Sequence, residues 1–425
     1  MMRTSKISLG NSDHRLWILA FPMSLMLLIA VARPWLLDHH DEFSAPMEDI
    51  RVSPTVPVPS KGHGFPPILA YWICGTSGDS NRMLRLLKSI YHPRNQYLLQ
   101  LDAESSASER AELVVSIQSE ALFRAFGNVN VVGRSYAINK LGSSALSATL
   151  HAAALLLKLN KDWDWFINLS PADYPLMRQD DFLHAMTSLP KDLNFIHYSK
   201  DTEWKQKYKV NQIVMDPSLY LQKSSDLFYA VETRPNPDAF KIFGGSPWVI
   251  LTRSLMEYCV QGWENLPRKL LMYFNNMVYP IEFYFHTVIC NSPEFRNTTV
   301  NANLIRYNIL ENHSSNGEPS ESFYDKMLAS GAAFARPFRR DDSVLINKVD
   351  ETVLNRQPNV VVPGNWCTGG STNSNYTEAA ESSNLCSTWG NLDAVKPGSC
   401  GIKLASLFSM LQIHGGLRTG NHCLQ

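Results

Sequence analysis

Between residues 66 and 170 the chain alternates short apolar runs with segments of helical spacing. Residues 68–74 (ILAYWIC) are an unbroken apolar run that ends in Gly75-Thr76-Ser77-Gly78-Asp79. A run of that length, closed by a turn signal, reads as a strand buried on both faces. Residues 81–91 follow with Met83, Leu84, Leu87 and Ile90 at helical spacing. Further strands are expected at 96–101, 129–132 and 163–169, and helices at 105–126 and 143–159. Strands alternating with helices of this length predict an α/β fold, a mostly parallel Rossmann-like sheet flanked by helices. The second half mixes shorter strands at 194–198 and 248–252 with helices such as 253–261, and it shows no internal repeat.

The apolar pattern before residue 66 is of another kind. Residues 16–32 (LWILAFPMSLMLLIAVA) carry no charge and sit at the short end of a membrane-spanning helix. Arg3, Lys6 and Arg15 precede this run, whereas Asp38, Asp41, Glu42, Glu48 and Asp49 follow it. The basic flank stays cytosolic, so the expected order is a cytoplasmic tail 1–15, a single transmembrane signal-anchor 16–32, a luminal stem 33–65 and a luminal domain 66–425. A cleaved signal peptide has the same outline, but Arg33-Pro34 after Ala30-Val31-Ala32 makes a poor cleavage site. A short span suits the thinner membranes of the early secretory route, which points to a Golgi type II protein. The stem is rich in Pro, Ser and acids, and residues from about 364 to 400 are rich in Gly, Ser and Asn, read as an irregular lid or wrap.

Composition narrows the picture. A formal net charge of zero argues against a nucleic-acid partner held by phosphate charge. Seven cysteines would face an oxidising lumen; Cys367, Cys386, Cys400 and Cys423 suggest a stapled C-terminal tail, with pairing open and no zinc spacing. Sequons at Asn297, Asn312 and Asn375 are glycosylation candidates; Asn168-Leu169-Ser170 also matches but lies inside an apolar strand and reads as unused.

Candidate chemistry gathers at the expected strand ends. The stretch from Asp162 to Pro175 runs through an apolar strand and places Asp173 past its carboxyl end, the edge where open α/β sheets bind ligands. Asp173 is thus a catalytic candidate; the alternative is a turn residue before Tyr174-Pro175. Gly75 and Thr76 would let backbone approach a nucleotide, although the turn lacks GxGxxG and a Walker lysine, which excludes dinucleotide and P-loop readings. Asp102 offers an acceptor to a uracil or ribose, or else a helix N-terminal acid. Asp162-x-Asp164 has the form of a metal-holding acid pair, yet it precedes its strand and falls at the opposite edge, so its reading is structural. Glu282 lies among large apolar groups in Pro280-Ile281-Glu282-Phe283-Tyr284-Phe285-His286, where desolvation favours a general base. His286, one helical turn on, is expected to orient it. Arg336 and Arg339, beside Phe334 and Phe338, could meet a diphosphate, and Ser246 and Trp248 complete the donor-side candidates.

These segments, in this order, resemble the plant members of the core-2/I-branching family of glycosyltransferases, nearest to β-glucuronosyltransferases acting on arabinogalactan proteins. The match runs from about residue 67 to about 411. It includes Tyr91-His92-Pro93-Arg94-Asn95-Gln96-Tyr97, the Asp162 to Pro175 stretch, Phe285-His286-Thr287-Val288-Ile289-Cys290-Asn291, Glu294-Phe295-Arg296-Asn297-Thr298-Thr299-Val300-Asn301 and Trp389-Gly390-Asn391. The resemblance implies a GT-A-type fold, a UDP-sugar donor and an inverting single displacement with Glu282 as base. It also implies that basic side chains replace a metal at the diphosphate, so no metal or other cofactor is expected. Where relatives have Phe-Ala-Arg-Lys-Phe, this chain has Phe334-Ala335-Arg336-Pro337-Phe338, leaving the charge to Arg336 or Arg339. Two further motifs depart: the Glu282 segment replaces Pro-Glu-Gly-Tyr with one residue inserted, and Asn139-Lys140-Leu141-Gly142 replaces a more aromatic or arginine-bearing turn. The expectation is transfer of glucuronic acid from UDP-glucuronic acid, in β-linkage, to galactan chains of arabinogalactan proteins. The alternatives are the same fold using UDP-N-acetylglucosamine or UDP-xylose, or a catalytically weak luminal glycan-binding scaffold, which the proline at 337 keeps open.

Overall fold

The structure, a computed structural model, describes residues 58–197, 210–312, 321–368, 386, 388–418 and 420–423. The cytoplasmic tail, the expected span at 16–32, most of the stem and Asn375 lie outside the described residues. Among the described residues no helix is long and apolar enough to cross a membrane.

The first half alternates as its pattern predicts: β1 (Leu69–Gly75), α1 (Ser80–Ser89), β2 (Gln96–Leu101), α2 (Ala107–Ser119), α3 (Ala121–Phe126), β3 (Val129–Val131), α4 (Ser143–Leu159) and β4 (Trp165–Leu169). The unbroken apolar run of β1 has a simple cause. Leu69, Tyr71 and Ile73 face one core with α1, while Ala70 and Trp72 face a second core with α4. A strand sandwiched this way needs apolar groups at every position. The helix expected at 105–126 is two helices, because Glu120 takes an extended backbone (ψ 112) between α2 and α3. Ser106 caps α2 by accepting from Glu109 N at 3.0 Å.

The chain continues through β5 (Tyr174–Pro175), α5 (Gln179–Thr187), β6 (Asn194–Ile196), β7 (Gln212–Met215), β8 (Phe228–Thr233), β9 (Ile250–Thr252), α6 (Arg253–Gln261), α7 (Asn265–Phe274) and α8 (Tyr284–Asn291). Then come β10 (Thr299–Asn301), β11 (Arg306–Asn308), α9 (Ile309–Asn312), α10 (Glu321–Ala329), β12 (Phe334–Arg336), α11 (Ser343–Val349) and α12 (Ser399–Ile413). Seven strands form the main sheet in the order β10-β6-β9-β4-β1-β2-β3. It is mixed: β9 runs antiparallel to both β4 and β6, and the other pairs are parallel. A small sheet, β11-β12-β5, brings the end of β12 beside the turn after β4.

The strands' amino edge is bound up by polar contacts. Asp164 accepts from Ile68 N at 2.8 Å and meets Lys191 Nζ at 2.9 Å, and Asp162 pairs with Lys61. Both acids hold structure there, on the side away from the strand carboxyl ends. Arg94, buried before β2, donates to the carbonyls of Pro67 and Leu392 and pairs with Asp393 at 2.6 Å. Ser60 N also donates to Asp393. The described end of the stem and the C-terminal segment are thus tied to the same edge. That segment wraps the core: Trp366 is fully buried against Tyr91, Trp389 packs at a tilt against Phe126, and Cys367 bonds Cys386. Gly364 is required in the wrap, because a Cβ there would lie 2.4 Å from Asp180 Oδ1. A second disulfide, Cys290–Cys423, ties the chain end to α8; Cys74, Cys259 and Cys400 are free thiols.

Candidate active site

A cavity of about 570 Å³ opens at the carboxyl ends of β1, β2 and β4. Its walls include Gly75, Thr76, Asp79, Asp102, Trp248, Glu282 and Arg336, gathered from segments up to 261 residues apart, together with Arg82, Lys140, Pro337 and Arg340. Of the residues singled out from sequence, Gly75, Thr76, Asp102, Trp248, Glu282 and Arg336 therefore converge on one space.

The turn after β1 forms one end. Asp79 Oδ2 accepts from Thr76 N (3.0 Å) and Thr76 Oγ1 (2.9 Å), which holds the loop tight against the cavity. Gly75 is forced by packing, since a Cβ there would sit 2.4 Å from Met83 Sδ on α1. Gly78 takes φ +80, a conformation that side chains disfavour. Arg340 crosses from the loop after β12 to donate to Ser77 O (2.8 Å) and pair with Asp79 (3.3 Å); Arg82 donates to Phe338 O at 3.0 Å. Asp102 accepts from Ser105 N and Oγ, both at 3.2 Å, and burial raises its pKa above the usual carboxylate value. The neighbouring Cys74 thiol is pushed up to about 12 by burial, so it stays protonated and inert.

Arg339 does not face the cavity. It is exposed, and its backbone N donates to Asp342 Oδ2 at 2.6 Å; Arg340, the next residue, takes the place expected of it. In a loop with no helical or strand register, the sequence run gives no way to choose between adjacent arginines.

Asp173 also needs correction. Its Oδ2 accepts from Ser170 N and Ser170 Oγ, both at 2.8 Å, and its Oδ1 lies 3.2 Å from Arg336 Nε and 3.7 Å from Arg306 Nη1. The side chain is fully buried behind the turn and is absent from the cavity wall. A catalytic part for Asp173 does not fit this placement; it positions arginines. Arg336 stacks over the Trp248 ring at 3.7 Å from its centroid, and burial lowers its pKa against the pull of Asp173. Arg306, which sequence reasoning missed, sits deeper, donates to Asn168 O at 2.9 Å, and is brought down to about 10 by burial. Only its place at the start of β11 gives it meaning.

Glu282 closes the other side. It is half-buried at the end of a 3-10 turn, Pro280–Glu282, that Tyr279 enters in the left-handed region (φ 52). The helix begins after it, at Tyr284, so Glu282 and His286 do not share a helical face as expected. His286 is fully buried with both ring nitrogens engaged elsewhere: Nε2 lies 3.0 Å from Ser246 O and Nδ1 3.3 Å from His422 Nε2. Burial brings its pKa down to about 4, which keeps the ring neutral. His286 acts on the loop under Glu282 instead. That loop packs closely: Gly245 N donates to Glu282 O at 2.9 Å, and a Cβ on Gly245 would lie 2.1 Å from His197 O. Ser246, expected at the donor, lines a smaller pocket of about 60 Å³ behind Trp248 and not the main cavity.

Among the described residues no group of three or more His, Cys, Asp or Glu side chains is arranged so that it could hold a metal ion. Asn297 is exposed, as a sequon must be; Asn312 ends α9, and Asn168 is buried with its amide engaged by Pro247 O and Val249 N.

Comparison with known proteins shows the family. Residues 69–325 match the family model described as core-2/I-branching enzyme. The chain is 44% identical to beta-glucuronosyltransferase GlcAT14A of Arabidopsis thaliana over 81% of its length and 76% of that protein. It is 47% identical to GlcAT14C of the same plant over 70% of its length and 79% of that protein. Human xylosyltransferase 1 is 31% identical over 56% of the chain and 24% of that protein. The chain belongs to the core-2/I-branching enzyme family of glycosyltransferases.

Proposed function

We propose that the chain is an inverting β-glucuronosyltransferase of GT-A type that transfers glucuronic acid from UDP-glucuronic acid to galactan chains of arabinogalactan proteins. The observation that carries this reading is the cavity itself, with four cations (Arg82, Lys140, Arg336, Arg340) and three carboxylates (Asp79, Asp102 and the half-buried Glu282) in its wall. In the step, an acceptor hydroxyl gives its proton to Glu282 as its oxygen attacks the anomeric carbon. The bond from that carbon to the phosphate oxygen breaks on the opposite face, and UDP leaves with its added charge toward the arginines. Configuration inverts, and the α-linked donor yields a β-linked product. In this reading Asp102, in the cavity wall, accepts from a uracil or ribose group. The cations supply the charge a metal would otherwise bring, and the reaction is proposed to need none.

The proposed setting is the Golgi membrane, with 16–32 as a type II anchor and the folded domain in the lumen; the basic N-terminal flank and acidic stem support it. The same fold with a UDP-xylose or UDP-N-acetylglucosamine donor is the second reading, favoured by the likeness to xylosyltransferase 1. Purified full-length protein, offered each UDP-sugar with a β-galactan oligosaccharide, separates the two: UDP release from UDP-glucuronic acid alone supports the first, and release from another donor alone rejects it.

A further inference from the structure

Two buried guanidinium groups share one carboxylate behind Trp248. Arg306 Nη1 and Arg336 Nε lie 3.7 Å and 3.2 Å from Asp173 Oδ1, so the cluster carries two positive charges against one negative. Arg306 Nε and Nη1 make no hydrogen bond among the described residues, although the side chain is only 7% exposed. A buried cation left partly unpaired destabilises the fold unless an anion arrives to meet it. Both arginines line the 60 Å³ pocket, and among the described residues no acid stands in its wall, which also includes His197, Ser246, Asn303, Tyr307 and Asn308.

We propose that this pocket holds the carboxylate of the transferred sugar and makes the enzyme selective for a uronic acid donor. The inference rests on the transferase reading above. Trp248 and Arg336 wall both spaces, so a hexose ring lying against Trp248 in the main cavity would direct a substituent past Arg336 toward Arg306. The pocket has room for a carboxylate and none for a second ring. A guanidinium fork matches a carboxylate in plane and spacing, which a hydroxymethyl group cannot exploit. The diphosphate has other partners: Arg82, Lys140 and Arg340 face the main cavity, whereas Arg306 does not.

The test measures binding of UDP, UDP-glucose and UDP-glucuronic acid to the full-length protein by calorimetry. Wild type should prefer UDP-glucuronic acid over UDP-glucose by roughly ten- to a hundredfold, the value of a charge-assisted contact. Arg306→Gln should abolish that preference and leave UDP affinity within about twofold. Should Arg306→Gln fail to fold, Asn308→Asp serves, because it puts a negative charge in the pocket wall. It should weaken UDP-glucuronic acid and spare UDP-glucose. If either folded variant weakens all three ligands equally, or keeps the wild-type ratio, the pocket does not read the carboxylate and the inference fails alone. A wild type that does not prefer UDP-glucuronic acid overturns the inference together with the functional reading beneath it.

Discussion

Asp173 Oδ1 lies 3.2 Å from Arg336 Nε, and this pair joins the turn after β4 to the end of β12 at the wall of the cavity. Because the same carboxylate also ties Ser170 N and Oγ, it fixes the turn and the arginine together.

Asp173→Asn should therefore act first on the fold. Removing one partner of a buried pair costs about 3–5 kcal/mol, here with two guanidinium groups left facing each other. The expected outcome is a melting temperature lower by several degrees and a weakened grip on the donor. An unchanged melting curve with turnover abolished would return Asp173 to a direct catalytic part.

Glu282 is the proposed base. Glu282→Gln keeps size and removes the proton acceptor, so transfer should fall by roughly two to four powers of ten. UDP affinity, read by calorimetry, should stay near wild type. Full turnover in a folded Gln variant would move the base elsewhere.

At the diphosphate, Arg340 and not Arg339 should matter. Losing one charge-assisted contact, about 1.5–3 kcal/mol, predicts transfer by Arg340→Ala slower by about one to two powers of ten. Arg339→Ala should change little. Since Arg340 and Arg336 already flank Pro337, Pro337→Lys should add little, and activity should survive a strong chelator. Loss of turnover in chelator, restored by manganese or magnesium, would contradict the metal-free account.

Stability should depend on pH through His286 and His422. Burial holds their pKa values at about 4 and about 3, below the ordinary 6.5. As pH falls below 6.5 the unfolded chain takes up protons that the folded rings refuse. Stability is thus complete above about pH 6.5 and declines toward pH 4, by up to about 1.4 kcal/mol per pH unit for each ring. Denaturant unfolding at pH 7 and pH 5 should show the decline, and His422→Asn should flatten it. Equal slopes in both proteins would show that the histidine pair is not its source.

The α/β order and the converging strand ends were legible from sequence, because β1, β2 and β4 are buried on both faces and are mostly apolar, with Gln96, Gln100 and Asn168 the polar exceptions in β2 and β4. Gly75, Thr76, Asp102, Trp248, Glu282 and Arg336 were legible as candidates since each lies at a strand end or an apolar turn. Three things were not. The break at Glu120 hides in a segment of uniform helical composition. The burial of Asp173 depends on β12 returning beside it, a contact between residues far apart in the chain. Arg306 became visible only when β11 and β12 placed two guanidinium groups against one carboxylate. Long-range pairing, which no local periodicity encodes, decided the last two.

The anomeric configuration of the transferred sugar separates an inverting β-glucuronosyltransferase from its alternatives. Full-length protein, UDP-glucuronic acid and a β-galactan oligosaccharide are incubated together, and the product is read by proton NMR. The expected product carries a new β-linked glucuronic acid residue on the galactan. A product carrying an α-linked residue, or no glucuronic acid at all, would contradict the proposed function.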